Sequence, residues 1–399
     1  MRKHSKGLTR GVLVGASLLL ASGMSMAATG TTPVQNAGGG ATADEYARKS
    51  DLGFQWSGDV RERVDVQAYS HRNNPLGTGA FTRVRLRTRL RVGAKGTFGD
   101  NKAFWGFGLA TNAGDPVSRN ITLGGGDVNG TGGLLGIDLA YIGWRPHADV
   151  DLVLGKMPNP IVTTDAIMDG DLTPEGAAVN WQVFRGSEAD LVNNVVFTSG
   201  YYALREIGAE MDDPFAILNQ LRGDVGSVEL GLGLYYFGNL NPTAGPTALP
   251  IGGQLGTQLQ AGALPSNEMA VIDGRIRYPF EIGNFPITLG GNAFANLIEE
   301  SQQFGWEVRA DMPRVWKGNA SLTVRDVGQF AAFSPWVDSD FGEGTGYHAG
   351  VRANYTHPLS RNTNVSLTYF HYDRFQPLSA PGTGALTTNR FMADFNARF

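Results

Sequence analysis

The sequence contains no cysteine among its 399 residues. This absence excludes disulfide bonds, cysteine-ligated zinc or iron–sulfur sites, and a cysteine nucleophile. Charged residues are also scarce, at 18% of the chain, against about 25% in average soluble proteins. Long apolar runs are nearly lacking as well. The one uncharged apolar stretch, residues 11–24, is shorter than the roughly 20 residues that a membrane-spanning helix needs.

The N-terminal segment has the pattern of a secretory signal peptide. It begins with four basic residues, Arg2, Lys3, Lys6 and Arg10. The apolar stretch 11–24 follows, and small residues then predict cleavage after Ala27. A buried apolar helix or a membrane anchor is the alternative. Removing residues 1–27 removes four bases and no acid, so the net charge moves from −4 to −8, which argues against a nucleic-acid partner. Residues 28–56 are predicted to form a periplasmic linker.

The remaining chain alternates apolar and polar side chains with a period of two. In residues 81–95 five arginines occupy alternate positions, Arg83, Arg85, Arg87, Arg89 and Arg91, and apolar residues or threonine lie between them. Such alternation predicts a β-strand with one cationic and one apolar face. The pattern continues to the last residue and gives fifteen strands. A weak strand at 214–222 makes sixteen and restores a regular alternation of short and long connections.

Physical chemistry decides which face meets water. Sixteen strands would enclose a bore too wide for side chains to fill, so a dry apolar interior is excluded. An arginine facing lipid near the bilayer centre would cost about 2–4 kcal/mol. The arginines must therefore face a water-filled lumen. We predict an all-β fold over residues 57–399, a 16-stranded antiparallel transmembrane β-barrel with short periplasmic turns and long extracellular loops. The competing interpretation is a soluble β-sandwich or β-propeller.

Several motifs resemble those of Gram-negative outer-membrane porins. Phe391, Phe395 and the terminal Phe399 resemble the signal by which such barrels are assembled. Three further motifs resemble the proteobacterial "putative porin" family: residues 58–63 (GDVRER), 155–160 (GKMPNP) and 169–176 (DGDLTPEG). The resemblance implies passive diffusion of small hydrophilic solutes and ions. It also implies a homotrimer that contacts lipid and lipopolysaccharide in the outer membrane.

The resemblance also implies that the third long loop, residues 157–176, folds into the barrel. That loop carries four carboxylates, Asp165, Asp169, Asp171 and Glu175. Seven arginines are predicted to line the opposite wall, namely Arg61, Arg63, Arg83, Arg85, Arg87, Arg89 and Arg91. Acid facing base would create an electric field across a constriction. We expect weak anion preference or no strong preference.

Alternatives remain open for these charges. The arginines could act as a phosphate-selective channel lining, because guanidinium binds phosphate bidentately. They could also only pair with nearby carboxylates and stiffen the wall, while the acidic loop remains a solvated outer loop. Each alternative places the same residues in the barrel but assigns them a different role.

Enzymatic and metal-binding motifs are weak. Neither an HExxH nor a GxSxG pattern occurs, so we expect no enzyme, no catalytic residue and no cofactor. An outer-membrane enzyme barrel with Ser366 near His348, His357 or His371 is the remaining alternative. Residues 127–132 with Asp138 faintly resemble a calcium loop but lack its final glutamate. We therefore predict a glycine-rich outer loop there and no metal.

Overall fold

The computed structural model describes residues 54–70, 80–98, 101–124, 135–187, 190–206, 213–240, 266–344, 347–374 and 386–399. The predicted signal peptide, nearly all of the predicted linker and residues 127–132 lie outside this set. The first strand begins at Phe54, so residues 54–56 belong to the strand and not to the linker. None of the described helices is long and apolar enough to cross a membrane.

Sixteen long strands and one two-residue strand make up the described fold. They are β1 (Phe54–Tyr69), β2 (Phe81–Phe98), β3 (Ala103–Thr111), β4 (Ile121–Thr122), β5 (Leu135–His147), β6 (Val150–Lys156), β7 (Glu175–Phe184), β8 (Val192–Ala203), β9 (Phe215–Val225), β10 (Val228–Gly238), β11 (Met269–Ile282), β12 (Phe285–Asn296), β13 (Phe304–Val315), β14 (Gly318–Val327), β15 (His348–Pro358), β16 (Thr363–Arg374) and β17 (Leu386–Arg398). A 3₁₀ turn, Ser334–Trp336, lies between β14 and β15.

The long strands close into a barrel. Each long strand pairs antiparallel with its neighbours in sequence. The first strand also pairs with the last, so the ring has no free edge. Closure satisfies every edge backbone group, as a sheet surrounded by lipid requires. The predicted fold of sixteen antiparallel strands is confirmed, including the weak strand, which is β9.

The two rims differ in the length of their connections. At one rim the turns are short, as in residues 226–227 between β9 and β10, and at the other rim the loops are long. We call residues 112–134 loop L2, residues 157–174 loop L3 and residues 328–347 loop L7. The two-residue β4 lies in L2 and pairs with β2.

The two faces of the wall carry opposite chemistry. On β2, Val84 and Leu86 are 63% and 53% exposed, whereas Arg85 and Arg87 are 8% exposed. The apolar side chains therefore point outward and the arginines point into the barrel. Exposed aromatic side chains follow the outer surface near both rims, including Trp144, Tyr278, Trp306 and Tyr369. Such an inverted wall, with two aromatic bands, is typical of barrels that span lipid.

The largest cluster of buried apolar residues lies where loops meet the wall. It joins L3 and L7 to the ends of several strands, and includes Met157, Ile167, Phe237, Phe333 and Trp336. The rings of Phe237 and Phe333 stack with centroids 4.5 Å apart. Both loops are therefore packed elements with an apolar core of their own.

Candidate functional site

Seven predicted lining arginines lie on the inward faces of β1 and β2. Because the strands pair in register, Arg61 lies beside Arg89 and Arg63 beside Arg87. Like charges this close would repel, so the arrangement requires carboxylates nearby. We call these seven residues the arginine ladder.

Three wall carboxylates neutralise the ladder. Asp65 accepts from Arg85 at 2.6 Å, and also from Arg390 of β17 at 2.8 Å. Asp59 accepts from both Arg89 and Arg91, at 2.7 Å and 2.6 Å. Arg63 donates to Asp394 of β17 at 2.6 Å. These ion pairs join residues of the wall itself, because the pairing of β1 with β2 and β17 places the acids beside the arginines.

Loop L2 covers part of the ladder. Asn120 accepts from Arg61 at 2.8 Å, and Ser118 accepts from Arg87 at 3.3 Å. Arg119 is 1% exposed and donates to Asp138 of β5 at 2.6 Å. Arg119 also donates to the main-chain oxygen of Asp171 at 2.8 Å, so L2 is tied to L3.

Loop L3 contacts the inward face of the wall on several sides. At one end, Asp171 lies 3.4 Å from Arg91 of the ladder. Near the middle of the loop, Asp165 accepts from Arg325 of β14 at 2.8 Å and from Arg352 of β15 at 2.5 Å. The loop thus extends across the barrel from β2 to β14 and β15.

The segment of L3 just before Asp165 is held by β9, β11 and β12. Val162 and Gln220 exchange two hydrogen bonds, at 3.0 Å and 2.9 Å. Thr163 donates to Asp273 at 3.0 Å, and Thr164 donates to Asn292 at 2.9 Å. Side-chain contacts on five strands and the ladder fix the path of L3.

Loop L7 also enters the barrel, which the sequence-based interpretation did not anticipate. Asp340 accepts from Arg63 at 2.8 Å and from Arg390 at 2.9 Å. L7 also joins L3 directly, because the main-chain N–H of Asp169 donates to Trp336 and that of Asp338 donates to Asp165. The available signal was a run of apolar residues, FAAFSPW at 330–336, that is unusual for a solvated outer loop.

The loop carboxylates fall into two groups by the direction of their pKa shifts. Burial raises the pKa of Asp338 to about 6, and Asp165 and Asp340 raise it further, while Arg325 and Arg352 oppose the rise. Burial also raises the pKa of Asp169, with Asp338 and Asp171 as the next causes. These two buried acids gain a proton more readily than ordinary aspartates do.

Three other carboxylates of L3 and L7, Asp165, Asp171 and Asp340, have lowered pKa values and stay ionised. Burial would raise the pKa of Asp165, but Arg352 and Arg325 hold it below the usual range. In the same way Arg89 and Arg91 overcome the effect of burial at Asp171 and lower its pKa. Arg63 and Arg390 lower the pKa of Asp340. The ionised acids are therefore those that anchor the two loops to arginines of the wall.

A cavity of about 90 Å³ that opens to solvent lies between L3 and the wall of β11–β13. Its lining includes Arg277 and Arg309 on the wall, and Asp165 and Asp169 on the loop. Acid and base therefore do face each other across open space, but at this wall the bases are arginines that sequence analysis did not single out.

Two predicted lining residues lie away from the contact between loop and ladder. Glu175 is the first residue of β7 and accepts from Lys156 at 2.7 Å, with its side chain 64% exposed. Arg83 is exposed near the end of β2 that meets the long loops. Of the predicted acids, Asp171 meets the ladder at Arg89 and Arg91, whereas Asp165 meets Arg325 and Arg352 on the other side of the barrel.

The terminal Phe399 lies at the seam of the barrel. Its main chain exchanges two hydrogen bonds with Gly58, at 2.9 Å and 3.0 Å. A Cβ atom at position 58 would lie 2.5 Å from the Phe399 ring, so the absence of a side chain at Gly58 makes room for it. This local fit leaves the predicted assembly role of Phe399 as a prediction.

The residues considered for catalysis or metal binding have other contacts. Ser366 is 2.8 Å from the hydroxyl of Thr356, and His357 is 3.1 Å from the hydroxyl of Tyr355. His371 is 2.9 Å from the Asn389 side chain. Within the described ranges, no group of three or more metal-ligating side chains comes together.

Comparisons with known proteins agree with this geometry. Residues 57–215 match the model of a family described as "Putative porin". The comparison with curated proteins found no match.

Among solved structures, the chain is similar to Salmonella typhi OmpF in complex with daunomycin. The identity is 11%, with 87% of this chain and 97% of that one covered, and the TM-score is 0.54. It is also similar to Pseudomonas putida OprB at high pH, with 11% identity, 88% and 95% coverage and a TM-score of 0.54. An anion-selective porin from Comamonas acidovorans has 13% identity, 87% and 99% coverage and a TM-score of 0.50. At these identities the likeness concerns the fold.

A closed barrel of sixteen antiparallel strands, apolar outside and charged inside, defines the porin class of transmembrane barrels. The chain has this fold. Its sequence resemblance to the "putative porin" family is confirmed by the family match over residues 57–215.

Proposed function

We propose that the protein is a passive diffusion channel for small hydrophilic solutes and ions in the outer membrane of Gram-negative bacteria. The observation that carries this function is the inverted wall, in which arginines face inward while Val84 and Leu86 are exposed on the outside. A bore enclosed by sixteen strands and lined with charge holds water. Water and dissolved solutes then cross without any conformational cycle.

Loop L3, the arginine ladder and L7 form the charged frame of a constriction in this proposal. Asp171 approaches the ladder and Asp165 approaches Arg325 and Arg352, so the loop narrows the bore while both carboxylates are paired with arginines of the wall. Fixed charges of both signs around a narrow aqueous path orient dipolar solutes and oppose apolar ones.

The proposed selectivity is a weak preference for anions or no strong preference. The ladder supplies seven arginines, but part of their charge is balanced by Asp59, Asp65, Asp340 and Asp394, the second and third of which also pair with Arg390. Extensive pairing also supports the alternative that these arginines chiefly stiffen the wall. A phosphate-selective channel remains the second candidate, because guanidinium groups with free donors bind phosphate bidentately.

Export by the signal peptide over residues 1–27 would deliver the chain to the periplasm, and outer-membrane lipid and lipopolysaccharide would then surround the barrel.

A homotrimer is part of the proposal. One outward-facing polar contact supports it: Thr88 donates to Glu62 at 2.7 Å near the middle of β1 and β2. An ionisable side chain at that depth is better accommodated against a protein neighbour than against lipid.

Single-channel recording tests the channel function directly. The purified, folded protein is added to planar bilayers, and we expect stepwise increases in current. In a KCl gradient the reversal potential gives the ratio of chloride to potassium permeability, which we expect to be one or modestly above one. Heat-unfolded protein at the same concentration is the control.

An absence of current steps, from protein shown to be folded by its altered mobility on gels without boiling, would contradict the channel function. A clear preference for cations would contradict the proposed selectivity and leave the channel function intact. Swelling of proteoliposomes in neutral sugars of increasing size measures the width of the constriction.

A further inference from the structure

We propose that Arg277 and Arg309, on either side of Gly290, form a binding notch for the carboxylate or phosphate group of solutes that pass between L3 and the β11–β13 wall. This proposal rests on the proposed channel function and identifies the wall along which solutes travel. That wall is not the arginine ladder, which the sequence predicted to line the pore.

The strand register builds the notch. Arg277 of β11 lies opposite Gly290 of β12, and Gly290 lies opposite Arg309 of β13. The three residues therefore form one inward-facing row, with the arginine Cα atoms separated by about 10 Å, or two strand spacings. Gly290, the middle residue of the row, contributes no side chain to the space between the two arginines.

Gly290 is placed so that a side chain would enter this space. A Cβ atom added there would lie 4.0 Å from the Cγ of Arg277 and 4.0 Å from the Cβ of Arg309. These are ordinary contact distances, so the backbone accepts a larger residue. A leucine at this position would occupy the notch without displacing the wall.

Both guanidinium groups are partly accessible, and their contacts with acids among the described residues use one nitrogen of Arg277 and two of Arg309. The side chain of Arg277 is 23% exposed and lies 3.3 Å from Glu229 through one nitrogen, Nη1. The side chain of Arg309 is 26% exposed and bonds Asp311 through Nε and Nη2. Each guanidinium has five N–H donors, so several can reach an anion in the cavity.

The ladder is less open to a solute. The side chains of Arg85, Arg87 and Arg89 are 8–10% exposed and bond Asp65, Ser118 and Asp59. L2 and L7 lie against this part of the wall. Among the ladder arginines in the described ion pairs, Arg91 is the most accessible, with a side chain 37% exposed, so it provides the decisive comparison.

The chemistry of the notch favours an oxyanion. Two guanidinium groups line one cavity on either side of Gly290, and guanidinium donors suit the several acceptor oxygens of a carboxylate or phosphate. Asp165 and Asp169 line the loop side of the same cavity. A solute that carries an anionic group would turn that group toward the wall as it passes.

The test compares variants of the full-length protein in planar bilayers. We expect Arg277→Ser with Arg309→Ser to lower the chloride-to-potassium permeability ratio by about twofold or more, as loss of two lining charges in a narrow pore implies. Adding inorganic phosphate or acetate should reduce the chloride current of the unaltered protein in proportion to occupancy. The double variant should lose this inhibition.

Gly290→Leu provides a second test that keeps both charges. We expect lower single-channel conductance and weaker inhibition by phosphate and acetate, because the leucine fills the notch. Gly274→Leu is the matched control, since Gly274 is exposed on the outer face of β11 and its added Cβ would lie 3.8 Å from the nearest atom. This control should conduct as the unaltered protein does.

Replacing both arginines with lysine separates charge from hydrogen-bond geometry. We expect the chloride preference to persist while inhibition by phosphate weakens, because lysine cannot bind bidentately. Stronger inhibition by phosphate than by acetate would identify phosphate as the preferred group, and the reverse would identify carboxylate.

The notch would be refuted if Arg91→Ser changed selectivity while the Arg277 and Arg309 double variant, shown to be folded by gel mobility, did not. Unchanged conductance in Gly290→Leu would also refute it. These outcomes differ from failure of the channel function, in which the unaltered protein itself would give no current.

Discussion

The two sides of the bore use their charges differently. On the side of β1, β2 and β17, arginines are buried and bonded to carboxylates of the wall and of L7, as Arg390 is with Asp65 and Asp340. On the side of β11–β13, Arg277 and Arg309 pair with partly exposed acids beside an open cavity. The comparison shows that a row of arginines alone does not locate a solute path. What matters is whether loops cover the row.

We call the side of β1, β2 and β17, which loops L2 and L7 cover, the closed side, and the side of β11–β13 the open side. The largest expected change in stability concerns the closed side. Asp65 is fully buried and bonds both Arg85 and Arg390. Asp65→Asn leaves two buried cations without their shared anion, which should lower the free energy of unfolding by about 3–5 kcal/mol. Denaturant unfolding of the refolded barrel, followed by gel mobility, measures the change.

Asp311→Asn on the open side is the matched control for Asp65→Asn. Asp311 is partly exposed and pairs with Arg309 alone among the described ion pairs. We expect a loss of no more than about 1 kcal/mol, as for exposed pairs. Equal losses in the two variants would remove the distinction between the closed and the open side.

The anchor of L7 gives the next effect in size. Phe333 stacks on Phe237 of β10 and contacts Trp336 at 5.5 Å between ring centroids. Phe333→Ala should cost about 3–5 kcal/mol of packing and loosen L7 from the wall. Single-channel recording should then show higher conductance and more current noise.

Leu359→Ala is the control for Phe333→Ala, because Leu359 is 56% exposed in the short turn after β15, at the end of that strand opposite L7. Its conductance should match that of the unaltered protein. If Phe333→Ala folded and conducted normally, L7 would have no part in the constriction.

A smaller effect is expected from pH. The pKa of Asp338 is raised to about 6, chiefly by burial and then by Asp165 and Asp340, against Arg325 and Arg352. Asp169 of L3 also faces it. Lowering the pH through 6 therefore adds a proton and removes one negative charge from the constriction. The chloride-to-potassium permeability ratio should rise as the pH falls from 7.5 to 5.

The direction in which stability changes with pH follows from the same shift in the pKa of Asp338. Because the folded pKa of Asp338 lies above the ordinary value, the folded protein binds this proton more tightly than the unfolded chain does. The contribution of Asp338 to stability therefore increases as the pH falls from about 6 toward 4. Asp338→Asn should abolish the contribution of Asp338 to the pH dependence of selectivity and of stability. A variant that keeps the same pH dependence as the unaltered protein would contradict the assignment of these effects to Asp338.

The smallest effect concerns the outer surfaces. Glu62→Leu removes the outward-facing hydrogen bond with Thr88 on the closed side. If this surface contacts another subunit, the trimer should dissociate at a temperature several degrees lower on unboiled gels. Val308→Leu on the exposed outer face of β13 is the control. A trimer as stable as before, or more so, would indicate that Glu62 faces lipid.

Much of the fold was predictable because a barrel strand repeats with a period of two. The weak segment at 214–222 was recoverable from the alternation of short and long links, and it forms β9, Phe215–Val225. The inward direction of Arg85 and Arg87 followed from the cost of placing arginine in lipid. These inferences concern single strands and their neighbours, where local pattern and solvent decide the outcome.

The site was less predictable because loops decide it. Nothing local to β2 shows that L2 and L7 cover its arginines, since Asn120 is 59 residues from Arg61 and Asp340 is 277 residues from Arg63. Arg277 and Arg309 belong to short alternating segments that look like any other strand. Their importance comes from Gly290 between them and from the path of L3.

The sequence by itself determined the number of strands, which face of each strand points into the barrel, and the inverted wall. Each follows from the period of two and from the solvation of arginine. Only the tertiary structure decided which arginines meet open water. That choice depends on where L3 and L7 fold, and their paths are set by contacts such as Asp165 with Arg352 and Phe333 with Phe237 that join distant parts of the chain.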